Sequence, residues 1–176
     1  MSRLVKVRPL PAGPVLIEAD AGEREALARR FGLGGIDSLR AEVTLEQKGP
    51  AGKGTIRAKG VLSAAVQQVC AVSSENFPVT ISEAFDLRFV SESANSASSD
   101  EETALEIELE REDLDEIEYT GEAFDLGEAV AQTLGLAIDP YAEGPGADAA
   151  RKTAGLADED APTGPLADAL AALKRD

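Results

Sequence analysis

The chain contains no histidine or tryptophan and is poor in cysteine, methionine and aromatic side chains. Its 176 residues include no His, no Trp, one Cys and one Met, and aromatic residues make up only 4%. Without histidine, Ser-His-Asp and Cys-His catalytic arrangements and histidine-based metal sites are excluded. A single cysteine, Cys70, also excludes an internal disulfide and a zinc site made only of cysteines.

Long apolar runs are missing as well. The longest apolar stretches are far shorter than a helix that crosses a bilayer requires, and the first residues carry no apolar region of the signal-peptide kind. The sequence therefore predicts a cytoplasmic protein that makes no membrane contact.

The charge is strongly acidic and unevenly distributed. The chain has 17 Lys and Arg against 33 Asp and Glu, a formal net charge of −16. Residues 1–90 hold 12 basic and 10 acidic side chains, whereas residues 91–146 hold 1 basic and 17 acidic ones. Because phosphate backbones are bound mainly by Lys and Arg, this acidic block disfavours broad nucleic-acid binding and favours a basic protein partner. Self-repulsion at this net charge also predicts a monomer.

The hydrophobic pattern predicts an α+β fold. Val43 and Leu45 alternate with polar neighbours, which is the period-two pattern of a half-buried strand. Asp20 and Asp125 are each followed three residues later by glutamate, so each predicts a capping box that opens a helix. The expected architecture is an antiparallel twisted sheet with two packed helices and a tethered C-terminal helix. Strands are predicted at 14–18, 42–46, 55–70, 79–90 and 105–109, with a hairpin loop at 49–54.

Composition also predicts how the chain is divided. Residues 1–142 are expected to form a single domain, which contains a mobile loop rich in serine and acidic residues at 91–103. Residues 143–164 are rich in glycine, proline and small polar residues, so they are expected to form a flexible linker. Residues 165–176 are expected to form an amphipathic helix.

An acidic run at 110–118 is the most conspicuous polar feature. We interpret it as a solvated surface that faces a basic partner. A divalent-cation site is the alternative, although the spacing lacks the Asp/Asn ladder and central glycine of an EF-hand loop. The predicted partner-binding residues of this acidic face are Glu110, Glu112, Asp113, Asp115, Glu116 and Glu118.

Basic side chains cluster on and beside the predicted hairpin. A second hypothesis makes them a direct RNA contact. Aromatic side chains for base stacking are not interleaved with them, so a mixed-charge hairpin that protects a sheet edge is the preferred interpretation. The residues of this possible RNA contact are Lys48, Lys53, Arg57 and Lys59.

The C-terminal segment carries a narrow apolar stripe. A ten-residue helix is marginal in water by itself, so the segment is expected to fold on contact with another surface. That surface is either a groove on a partner or the chain's own domain. The residues of this predicted docking helix are Leu166, Leu170, Leu173 and Lys174.

The sequence carries no enzyme signature. Cys70 shares strand parity with Leu62 and Val66, so it is expected to be a buried apolar side chain, and no histidine exists to activate it. A serine nucleophile elbow and a phosphate-binding glycine loop are both missing. The prediction is therefore a non-catalytic protein without metal or cofactor. A metal-dependent ribonuclease built from carboxylates is a third alternative.

Three stretches resemble the YceD-like large ribosomal RNA subunit accumulation proteins. Residues 69–89 (VCAV, FPV and FDLRF) look like the cysteine-bearing strand, turn and return strand of that family. Residues 124–141 (FDLGEAV to LAIDPY) are similar to its acidic-capped helix with a Pro-containing end. Residues 164–174 (GPLADALAALK) look like its C-terminal motif.

The resemblance implies a role in the synthesis, processing or stability of large-subunit ribosomal RNA, and it implies no catalytic residues. Many relatives carry Cys-x-x-Cys where this chain has Cys70 and Ser73, so a metal or redox role of such a pair is not expected here. Gly164 and Leu166 stand where the family often has Asn and Phe. Together with the charge, this leads us to expect contact with a basic ribosomal protein or assembly factor and indirect contact with ribosomal RNA. Direct binding of ribosomal RNA is the alternative.

Overall fold

The computed structural model describes residues 1–48, 55–92, 116–155 and 164, and these ranges contain both strands and helices. The predicted α+β class is confirmed. The strands are β1 Leu4–Lys6, β2 Val15–Glu18, β3 Gly35–Lys48, β4 Thr55–Val69, β5 Asn76–Ser91, β6 Glu116–Tyr119 and β7 Ala123–Asp125. The helices are α1 Ala21–Phe31, α2 Leu126–Ala137 and α3 Ala147–Ala154. Within these described ranges, no helix is long and apolar enough to cross a membrane.

The chain divides into two compact units. The first comprises Met1–Gln67 and Pro78–Asp139, and the second comprises Gln68–Phe77 and Pro140–Asp176. The sequence predicts one domain over 1–142 and a linker over 143–164, whereas the structure has helix α3 inside the predicted linker. Gly155, with φ 69°, ends α3 in the left-handed conformation that glycine adopts without strain.

In the first unit the strands form a five-stranded sheet and a separate pair. The sheet has the order β2-β3-β4-β5-β6, and β1 pairs with β7. The β2/β3 and β3/β4 pairs are antiparallel as predicted. The β5/β6 pair is parallel, with Arg88 opposite Glu116, which departs from the predicted antiparallel sheet. The 24 residues between these two strands are enough for the crossover connection that a parallel pair needs.

Alternation along the long strands builds the core. On β3, Ala41, Val43 and Leu45 are buried whereas Glu42 and Thr44 are exposed, so the predicted period-two pattern is confirmed. The buried residues of β4 that face the same core are Ile56, Ala58, Leu62, Ala64 and Val66. One face of the sheet is therefore apolar and the other is polar.

The few aromatic residues concentrate at one point of this core. The ring centroids of Phe89 and Phe124 lie 4.3 Å apart, and those of Tyr119 and Phe124 lie 6.0 Å apart. These three rings, from β5, β6 and β7, account for nearly half of the seven aromatic residues in the chain. They join the end of the five-stranded sheet to the β1/β7 pair within the first unit.

Both predicted caps hold their helices, but only one is a full capping box. At α1, Asp20 accepts the backbone N–H of Glu23 at 2.8 Å, and Glu23 accepts the backbone N–H of Asp20 at 3.1 Å. At α2, Asp125 accepts the backbone N–H of Glu128 at 3.0 Å, whereas the Glu128 carboxylate pairs with Arg30 at 2.8 Å. The capping box predicted at α2 is therefore wrong in its second half, because a tertiary cation competes for Glu128.

Arg3 connects β1 to both helices of the first unit. Its guanidinium donates to the two carboxylate oxygens of Glu23 at 2.6 and 2.7 Å. Its backbone N–H donates to Asp125 at 2.9 Å, and its carbonyl accepts the N–H of Leu126 at 3.1 Å. The hydrogen bonds from Arg3 lower the pKa of Glu23 to about 2.

Acid is expected to weaken the fold through Glu23. Its pKa is about 2 in the folded chain and 4.5 ordinarily, so the stabilisation is complete above pH ~5 and is lost as the pH falls towards 2. Glu23→Gln should lower the free energy of unfolding at pH 7 and lose less stability between pH ~5 and ~2. Chemical denaturation at several pH values measures both effects. The matched control is Glu25→Gln in the exposed pair with Arg29, which should change little. A Glu23→Gln curve with the wild-type slope would contradict the prediction.

Gly60 on β4 is expected to tolerate no side chain. A Cβ there would lie 2.6 Å from the backbone oxygen of Glu42 and 2.6 Å from Cζ of Phe85. Gly60→Ala should therefore lower the free energy of unfolding by about 1–3 kcal/mol, which is typical of overpacking. Urea denaturation measures this, with Gly13→Ala as the control because a Cβ at Gly13 meets nothing within 4 Å. Equal loss in both variants would show that the close approach at Gly60 is not the cause.

Candidate functional site

An acidic cleft lies beside β6 and the β1/β7 pair, within the first unit. Its volume is about 640 Å³. Leu4 on its wall is 73% exposed, which is unusual for a large apolar side chain. The acidic residues that line it are Glu92, Glu118, Glu122 and Asp125. A surface that combines several negative charges with one exposed leucine is suited to a basic protein segment.

Strand alternation points the glutamates of β6 outwards. Tyr119 is buried and Ile117 is half-buried, so Glu116 and Glu118 on the other parity are exposed. Glu122 follows in the turn at Gly121, where φ is 77°, and its carbonyl accepts the N–H of Val7 at 2.9 Å. The turn places Glu122 at the cleft while its backbone is held by the chain after β1.

Asp125 holds its charge at the inner end of the cleft. Burial raises the pKa of Asp125, but hydrogen bonds from Ser2, Arg3 and Glu128 outweigh burial and lower it overall. The Ser2 hydroxyl donates at 2.6 Å and the Arg3 backbone N–H at 2.9 Å. Asp125 therefore contributes a fixed negative charge while its oxygens serve as a helix cap.

The structure places two of the six predicted acidic-face residues. Glu116 and Glu118 are exposed on β6, and Glu116 lies 3.6 Å from Arg88 in a partly exposed ion pair. Such pairs are weak in water, so Glu116 is still able to interact with a partner. The remaining four, Glu110, Glu112, Asp113 and Asp115, lie outside the described residues.

The basic hairpin is partly neutralised by a neighbouring strand. Arg57 donates through Nε and Nη2 to the two oxygens of Asp86 at 2.7 and 2.5 Å. Lys59 Nζ lies 3.6 Å from the same carboxylate. The hydrogen bonds from Arg57 lower the pKa of Asp86. Lys48 ends β3 and is exposed, and Lys53 lies outside the described residues. The two described cations of β4 therefore face an acid of their own chain.

The predicted docking helix is not placed. Leu166, Leu170, Leu173 and Lys174 lie outside the described residues, and so does the predicted strand at 105–109. Of the loop predicted at 91–103, Ser91 is the last residue of β5, and residues 93–103 lie outside the described residues. Within the described ranges, no group of three or more His, Cys, Asp or Glu residues is arranged to hold a metal ion.

Cys70 is buried, as its strand parity predicts, and it lies in a tight turn of the second unit. The turn is closed by the N–H of Ser74 donating to the Cys70 carbonyl at 3.0 Å, and Ser74 has a φ of 60°. Hydrogen bonds from the Ser73 side chain and from the backbone N–H groups of Ser73 and Gly144 lower the pKa of the thiol to about 7. The Ser73 N–H lies 3.3 Å from Sγ. Several donors therefore converge on this sulfur.

Cys70 is expected to lose its proton near neutral pH. The thiolate absorbs in the ultraviolet, and a chain with a single cysteine gives an unambiguous titration. The midpoint should fall near pH 7, and Ser73→Ala should raise it towards the value of a free cysteine, about 8.5. Cys70→Ala supplies the baseline, and Ser82→Ala on β5 is a matched control that should leave the midpoint unchanged. A wild-type midpoint at the free-cysteine value would contradict the prediction.

Sequence reasoning missed Leu4, Glu92 and Glu122 at the acidic cleft, and it identified Asp125 only as a helix cap. Glu92 and Glu122 belong to the acidic block at 91–146 but lie outside the run at 110–118, and Leu4 is far away in sequence. The charge count of the block is the only signal that points to the two glutamates, and no signal in the sequence points to Leu4. Their meeting depends on the pairing of β1 with β7, which sequence spacing does not reveal.

Comparison with known families gives one result. Residues 58–174, about two thirds of the chain, match the family described as large ribosomal RNA subunit accumulation protein YceD. The chain belongs to the YceD family. The resemblance stated from sequence is therefore confirmed, and with it a family role in the accumulation of large ribosomal RNA subunits. No curated protein and no solved structure matches the chain. The matched range includes β5, β6, β7 and α2, and so most residues of the acidic cleft of this YceD protein.

Proposed function

We propose that this YceD protein is a non-catalytic cytoplasmic factor that supports large-subunit ribosomal RNA through its acidic surface. The surface consists of Glu92, Glu116, Glu118 and Glu122, together with the predicted acidic residues at 110–115. Its partner is a basic ribosomal protein or assembly factor, so ribosomal RNA is reached indirectly. The observation that carries the proposal is the acidic cleft, where exposed glutamates of β6 and of the turn before β7 surround an exposed leucine.

Charge supports a protein partner over direct RNA binding. Ribosomal proteins are cationic because they bind phosphates, so a surface of net negative charge attracts them and competes with unproductive RNA contacts. In the alternative, the hairpin cations contact RNA directly. The pairing of Arg57 and Lys59 with Asp86 weighs against that alternative, because this carboxylate offsets one of the two positive charges.

The C-terminal segment belongs to the same proposal as a second contact. Leu166, Leu170, Leu173 and Lys174 would supply an apolar stripe with a basic end, and the acidic surface would supply the long-range attraction. Cutting the chain after Gly164 separates the two contributions. Unchanged partner retention and unchanged folding in the truncated chain would remove the segment from the proposal.

Charge reversal is expected to abolish partner retention. The tagged protein is purified from its own lysate at low and moderate salt, with and without ribonuclease, and the retained proteins and RNA are quantified. Glu118→Lys with Glu122→Lys should reduce the retained basic protein by about tenfold or more, and raising the salt should do the same. The matched control is Glu42→Lys with Glu46→Lys on β3, which changes the net charge equally on a strand that β4 and β5 separate from β6.

Two results would overturn the proposal. The first is a basic protein whose retention responds neither to salt nor to the reversals at Glu118 and Glu122. The second is ribosomal RNA that is retained directly, with its proteins released by ribonuclease and its binding weakened by Lys48→Glu and Lys59→Glu. That pattern would identify the β3/β4 hairpin as an RNA-binding surface.

A further inference from the structure

A groove lined by both apolar and polar residues runs between β5 and the last turn of α2, away from the acidic cleft. Its volume is about 350 Å³. Phe85, Leu87 and Ala137 supply apolar walls, and each of them is half-buried. Thr133 closes one side, and its hydroxyl donates to the carbonyl of Ala129 at 3.1 Å. The Thr133 hydroxyl is therefore satisfied within the helix, and the groove combines apolar walls with polar lining atoms.

Leu136 stands at the rim of this groove and is 89% exposed. The helix that carries it is firmly held, because Val130 and Leu134 are fully buried. The neighbouring Gly135 lies so close to Phe31 of α1 that a Cβ would come within 2.8 Å of its ring. The packing of Gly135 fixes the rotation of α2, so the exposure of Leu136 is a property of the fold and not of a frayed helix end.

The negative charge beside the groove comes from Glu83 and from the carboxyl end of α2. Glu83 and Asp86 are its charged lining residues, and Asp86 is offset by Arg57 and Lys59. The last turn of α2 contains no basic residue, so the partial negative charge of its free carbonyls is uncompensated there. Asp139 follows directly after the helix. A cation would be stabilised beside Leu136 and an anion would be repelled.

We propose that this groove binds an amphipathic helix of the basic partner, with one apolar side chain seated between Phe85 and Leu136. Lysine or arginine residues next to that side chain lie against Glu83 and the carboxyl end of α2. The inference rests on the proposed function, because the occupant is a segment of the same basic protein. A second copy of the chain is disfavoured by its net charge of −16, and RNA is disfavoured by Glu83 and the carboxyl end of α2.

The test uses the full chain and a fluorescein-labelled amphipathic peptide made of leucine and lysine. Fluorescence anisotropy should show binding that Leu136→Ser weakens by about tenfold or more, with a smaller loss for Glu83→Lys. Leu16→Ser is the matched control, because Leu16 is 66% exposed on β2 and does not line the groove. A peptide with serine in place of leucine and a peptide with glutamate in place of lysine should both bind weakly. Amide shifts caused by the first peptide should fall on residues 83–87 and 133–137.

Four outcomes would overturn the inference. They are unchanged binding in Leu136→Ser, equal binding of the glutamate peptide, a rise in affinity when residues 165–176 are removed, and a dimer that Leu136→Ser dissociates. The third would assign the groove to a segment of this same chain, and the fourth would assign it to a second copy. If Leu136→Ser leaves the retention of the basic protein from the lysate intact while charge reversal at Glu118 and Glu122 abolishes that retention, only this inference fails. If no basic protein is retained at all, the proposed function fails.

Discussion

The first unit depends on the way Ser2 and Arg3 hold the first turns of α1 and α2. A single guanidinium binds both oxygens of Glu23, while the adjoining backbone and the Ser2 hydroxyl satisfy Asp125. The chain passes so close to α2 that a Cβ at Gly127 would lie 2.6 Å from the backbone nitrogen of Arg3. The two helix starts, the β1/β7 pair and the acidic cleft beside that pair therefore share one set of contacts. Arg3 is far from Glu118 and Glu122 in the sequence, but its contacts help to determine where these glutamates lie.

Local patterns in the sequence predict local structure well. The alternation around Val43 and Leu45 predicts a strand with one buried face, and the Asp20–Glu23 spacing predicts a capping box; both are confirmed. These features were readable because the interacting groups are a few residues apart. Glycine and proline predict a linker over residues 143–164, whereas residues 147–154 form a helix. Their own composition suits it, because they are rich in alanine and carry Arg151 and Lys152 in the last turn.

Features that depend on pairing between distant segments could not be predicted from the sequence. Strand β1 has three residues and pairs with β7 about 120 positions later, so no periodicity in its neighbourhood marks it. Strand β6 lies at the end of an acidic run, where the charge obscures the alternation of Ile117 and Tyr119 with glutamates. The Arg57–Asp86 pair joins residues 29 positions apart and partly neutralises the basic patch. Charge counts predicted the sign of the candidate surface, whereas its position required the register of the strands.

The pairing of β1 with β7 has a consequence for how the chain folds as it is made. The β3/β4 hairpin closes between Lys48 and Thr55, so its pairs form as soon as about seventy residues are available. Strand β1 is synthesised first but must wait for β7 and α2, and the ring of Phe89 is not covered by Phe124 until then. During that interval the growing chain presents an unpaired strand and an apolar sheet face. Translation therefore builds the hairpin first, and the acidic cleft, which needs Leu4 and the β6–β7 turn together, assembles only in its later stages.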